Sequence, residues 1–130
     1  FDCMVLEAAK SAKGFHLLHI CKKNVDVNRF LDYPVEAFNW EMCAENATLE
    51  QALAAVPADR TVLGGFSNER GALLSGTAGE IEAETWRLLE KVQGRRWILG
   101  AGCTLPTGID PARLRAVAQA SKSFSRRKNA

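Results

Sequence analysis

Four strand-length, nearly all apolar runs alternate with helical patterns along this chain, and no other feature restricts the fold as much. The runs fall at 15–21, 35–42, 61–66 and 97–103. Strands of that character, separated by helices, belong to parallel βαβ units with both faces of the sheet covered. The helical signals between them are specific. Thr48-Leu49-Glu50-Gln51 and Thr77-Ala78-Gly79-Glu80 both fit a capping box, in which a threonine oxygen and the side chain three residues on satisfy each other's backbone N–H. Leu49, Leu53 and Val56 supply the buried side of the first of these helices. Ile81, Thr85, Leu88, Leu89 and Val92 form the stripe of the second, which Gly94 ends. Asp110-Pro111 marks a further start, with Leu114, Val117 and Ala118 as its inner face. Residues 2–12 are rich in helix formers up to a cap at Gly14, and Val27, Phe30 and Leu31 predict a helix within 25–33 that closes at Pro34.

The order is therefore one helix followed by four strand-helix units. That is half of a (β/α)8 barrel, whose usual length is about 250 residues. A self-contained, four-stranded doubly wound sheet is the competing arrangement. No repeat or linker divides the chain, so 1–130 reads as a single partial barrel domain, with a flexible basic tail at 123–130.

Composition excludes several function classes. A net charge of +2, with basic residues spread evenly up to Arg126-Arg127-Lys128, leaves no nucleic-acid footprint. No apolar run reaches the roughly 20 residues of a membrane span, and no signal-peptide pattern is present, which implies a cytoplasmic protein. The four cysteines at 3, 21, 43 and 103 are too widely spaced for a disulfide framework and point to thiols or metal ligands.

In a parallel α/β arrangement functional groups gather at the C-terminal ends of the strands. His19 and Cys21 close the first strand and, two residues apart, share a face. Trp40 and Glu41 close the second strand, Ser67 and Asn68 the third, and Cys103 the fourth. His19, Cys21 and Cys103 are the candidate metal ligands; Trp40, Glu41, Ser67 and Asn68 are candidate lining for a substrate or cofactor. Cys43 is a reserve ligand, whereas Cys3, on a helix, and His16, on the opposite strand face, read as structural.

His19-Ile20-Cys21 with the distant Gly100-Ala101-Gly102-Cys103-Thr104-Leu105-Pro106 resembles the uroporphyrinogen decarboxylase superfamily, in its cobalamin-dependent methyltransferase branch. Asp32-Tyr33-Pro34-Val35, Phe38-Asn39-Trp40, Gly64-Gly65 and Gly76-Thr77-Ala78-Gly79-Glu80-Ile81 sit in the order the resemblance requires. It implies the C-terminal half of a barrel, zinc held by His19, Cys21 and Cys103, and methyl transfer from a methylcobamide to a thiol or similar acceptor. The implied partners are a corrinoid or corrinoid protein, a small thiol, and an N-terminal half barrel or a second copy of the chain. Two other readings stand beside it: a decarboxylase of porphyrin biosynthesis, and a non-catalytic or processed half-barrel fragment. Ala101 stands where the decarboxylases carry a histidine between two glycines. Lys22 stands where the methyltransferases usually carry glycine, and with Lys23 it suggests an anionic acceptor or cofactor group at the mouth.

Overall fold

The computed structural model describes residues 2–42 and 45–128. Its four strands are β1 (Leu17–Ile20), β2 (Ala37–Trp40), β3 (Thr61–Phe66) and β4 (Trp97–Ala101). They form one sheet in the order β1-β2-β3-β4, and every neighbouring pair is parallel. A doubly wound sheet reverses its strand order at a switch point. Here the order never reverses, so the winding is that of half a (β/α)8 barrel. The helices are α1 (Asp2–Ala9), α2 (Leu49–Ala55), α3 (Ala72–Ser75), α4 (Ala78–Lys91) and α5 (Pro111–Lys128). Among the described residues no helix is long and apolar enough to cross a membrane.

Local chemistry sets the helix starts. Both capping boxes form: Thr48 accepts from the Gln51 N–H while Gln51 accepts from Thr48 N–H, and Thr77 and Glu80 do the same. The Asp110 carboxylate accepts from Ala112 N–H at 2.8 Å and opens α5. The core then fills the helix side of the sheet. Ile20, Phe38, Trp40, Val62 and Phe66 pack with Leu49, Ala52 and Val56 around α2, and with Leu88 and Val92 around α4. Each large side chain so buried contributes about 1.5–3 kcal/mol.

The other face of the sheet is polar toward its top and thinly filled below. Residues two apart share a face, and register partners in a parallel pair lie side by side. Leu17 and His19 therefore lie with Asn39, Leu63 and Ile98. Leu17 and Ile98, on the two outer strands, are 40% and 41% exposed. In a closed barrel that face is the packed interior.

Five points differ from expectation. The helix expected across 25–33 is only a 3-10 turn, Val27–Phe30, in which the Asp26 side chain accepts from Asn28 N–H and Val27 alone is buried. Helix α1 stops at Ala9, short of Gly14, and buries none of its residues. Arg113 holds the short α3, which the pattern did not predict, by donating to the carbonyls of Ala72, Leu73 and Gly76. The inner face of α5 is also shifted: Leu114 and Ala118 are exposed, whereas Ala120 is buried where its carbonyl accepts from the Trp86 indole N–H. Instead of a tail beginning at 123, α5 continues to Lys128, with the Arg127 guanidinium 4.5 Å above the Trp86 ring.

Candidate metal centre

Strand β1 delivers His19 to the thinly filled face, and Cys21 follows two residues later. Cys103 comes from the far edge of the sheet, just past β4. In a flat sheet three strand spacings would separate β1 from β4 by about 14 Å. The curl of this one, with the loop after β4, brings one donor atom each of His19, Cys21 and Cys103 within 4.8 Å of one another. His19 Nε2 lies 3.5 Å from Cys103 Sγ.

Asn39, next to His19 on the neighbouring strand, determines which ring nitrogen faces the thiols. Its amide nitrogen donates to Leu63 O at 2.9 Å and to Ala101 O at 3.1 Å. Only an NH2 group can face two carbonyls, so the amide oxygen is the atom 2.5 Å from His19 Nδ1. That oxygen accepts only. The ring proton therefore sits on Nδ1, and the Nε2 lone pair is left for a metal.

The donors fit zinc. A tetrahedral ion with Zn–N of about 2.0–2.1 Å and Zn–S of about 2.3 Å holds N and S about 3.6 Å apart, close to the spacing between His19 and Cys103. Two thiolates and an imidazole select a soft tetrahedral ion, and three protein ligands leave its fourth position open.

Two backbone features carry the candidate ligands. A Cβ on Gly102 would sit 2.9 Å from Met42 N and 3.0 Å from Trp40 O, so only glycine lets the chain before Cys103 close onto the end of β2. Beyond Cys21, Lys22 and Asn24 take positive φ angles of 95° and 58°. The buried Asn46 pins this turn by donating to Lys22 O and Glu41 O and accepting from Val25 N–H. Lys23 bridges Glu45 and Glu69 at 3.7 and 3.8 Å, and Lys22 is exposed.

A uroporphyrinogen decarboxylase (URO-D) family model matches residues 4–124. The chain belongs to the uroporphyrinogen decarboxylase family. Its fold is similar to a methyltransferase from Methanosarcina mazei, with a TM-score of 0.73 and 23% identity over 93% of this chain. The match covers 34% of that methyltransferase, so this chain spans about a third of its length. No curated protein sequence matches the chain.

Of the residues expected at the site, the three candidate ligands of this chain meet. Trp40 does not join them. It pairs in register with Ile20, one step from His19, and so turns to the helix side, fully buried, where its indole N–H donates to Ala47 O. Glu41 is buried just past β2, with its Cα against Gly102. Ser67 accepts from the N–H groups of Glu69 and Arg70 and so serves its own turn; Asn68 is half-buried beside it. Cys3 is exposed on α1, and Cys43 lies outside the described residues. His16 pairs with Glu36 at 3.0 Å, near the start of β2 and away from the candidate ligands. Asn39 and Asn46 were not singled out from the sequence. A polar residue inside an apolar run was the available signal for Asn39; nothing local marked Asn46.

Proposed function

We propose that this URO-D family chain carries the zinc site of a methyltransferase that moves a methyl group from a methylcorrinoid to a thiol. The observation that carries the reading is the donor set: two thiols and one correctly oriented imidazole, drawn from opposite edges of the sheet to within 4.8 Å. Zinc bound there supplies the charge that keeps an incoming thiol deprotonated at neutral pH. Cys21 and Cys103 would hold it as thiolates and His19 through Nε2, while Asn39 keeps the ring from turning. A methylcorrinoid, when bound, would supply the methyl group to the acceptor sulfur and retain the electron pair of its methyl bond, while the zinc held by Cys21, Cys103 and His19 would keep that sulfur deprotonated, its proton released to solvent. Lys22, exposed one residue after Cys21, supports an anionic group on the acceptor or cofactor.

The exposed Leu17 and Ile98 support closure of the barrel by further βα units, from an N-terminal half or a second copy. The corrinoid would then enter over the ends of the strands. Metal analysis of protein purified without chelator tests the reading. About one zinc per chain, lost in Cys103→Ala, is expected, together with thiol-dependent loss of methylcobalamin in the closed barrel. Turnover of uroporphyrinogen at an unchanged rate in Cys103→Ala would favour decarboxylation instead.

A further inference from the structure

Asn39 is 94% buried (6% exposed), and both of its amide hydrogens and its oxygen are used. Its three partners lie on three different strands or their ends: His19 on β1, Leu63 on β3 and Ala101 on β4, two residues before Cys103. A side chain that only filled space at this point would need no such set. One that only linked strands would not need its acceptor aimed at the ring nitrogen turned away from Cys103. The amide does both jobs together, because its geometry ties the donors to the carbonyls and the acceptor to the ring.

We infer that Asn39 is the positioning residue of the site: it selects the Nδ1–H tautomer of His19 and couples that ring to the strand that presents Cys103. The inference rests on the metal reading for its consequence, but the tautomer itself exists without metal. A neutral amide is required. Aspartate keeps an acceptor for His19 Nδ1–H, yet sets carboxylate oxygens against the carbonyls of Leu63 and Ala101, so it retains the tautomer and loosens the link to β4. Alanine loses both.

Long-range 1H–15N correlation spectra of the metal-free chain, with the His19 signals assigned by their absence in His19→Gln, read the tautomer directly. The wild type is expected to show Nδ1–H, Asn39→Asp to keep it, and Asn39→Ala to shift toward Nε2–H. Competition with a chromophoric chelator is expected to show zinc affinity about 10–100-fold weaker in Asn39→Ala. Most of that loss should disappear when the substitution is made in a His19→Ala background. An Nε2–H ring in the wild type overturns the proposal whatever the variants do, including any that fail to fold. Normal zinc binding with an unmoved tautomer or affinity in Asn39→Ala overturns it while leaving the metal reading intact. A wild type that shows Nδ1–H but binds no zinc overturns the metal reading and confines Asn39 to orienting the ring.

Discussion

Replacing Lys22 with glycine should stabilise the chain. Lys22 follows a candidate ligand with φ at 95°, a region that costs a residue with a Cβ about 1–3 kcal/mol. Asn46 holds the turn there through Lys22 O, so the conformation cannot relax while the loop is docked. Glycine removes the strain but adds about 0.4–1 kcal/mol of chain freedom to the unfolded state. The side chain is exposed, so its loss removes little packing. The balance is a gain of about 1 kcal/mol. For 130 residues, with about 2.1 cal/mol/K of unfolding entropy each, that raises the melting midpoint by about 4 °C. Urea unfolding followed by tryptophan fluorescence checks it, with an unchanged m-value as the condition for reading the midpoint as stability. Lys23→Gly is the control: it removes the bridge to Glu45 and Glu69 and should lower the midpoint. A Lys22→Gly protein that is less stable than the wild type would refute the strain argument.

Gly102→Ala should push the segment after β4 off the end of β2 and carry Cys103 with it, so chelator competition is expected to show at least about tenfold weaker zinc binding. Trp40→Phe should lower stability by about 1 kcal/mol, through the hydrogen bond lost to Ala47 O, and leave zinc affinity unchanged, because the indole lies on the other face of the sheet. Glu50 accepts a hydrogen bond from Lys91, which ties α2 to α4 and lowers its carboxyl pKa to about 2 from an ordinary 4.5. A lowered folded-state value stabilises fully above pH 4.5 and is lost as pH falls toward 2. The Glu50 side chain is 56% exposed, so screening limits the contribution to about 0.5 kcal/mol. Glu50→Gln should therefore match the wild type at pH 2 and fall slightly below it at pH 7 in denaturant midpoints.

What the sequence made legible was mostly local. The capping boxes at Thr48 and Thr77 need only residues three apart, and both form. The bounds of β3 at Thr61–Phe66 match the apolar run because β-branched residues and glycines mark its two ends. His19 and Cys21 share a face by strand period alone. The same period would have turned Trp40 away from the site, had the strand been read through its register with β1 and not by its end. The buried side of α5 depends on where Trp86 of α4 receives it, which the stripe on α5 does not encode. Apart from the bond of Asn46 to the nearby Glu41 O, Asn39 and Asn46 act on residues about 20 to 60 positions away, so their roles appear only once the strands are in register. Cys103 could be expected at the strand ends, but its meeting with His19 depends on how far the sheet curls.

X-ray absorption at the zinc edge, on protein purified without chelator, tests the central claim most directly. The account predicts about one zinc per chain, with two sulfurs at about 2.3 Å and at least one nitrogen at about 2.0–2.1 Å. Protein without zinc, or zinc surrounded only by nitrogen and oxygen, would contradict it.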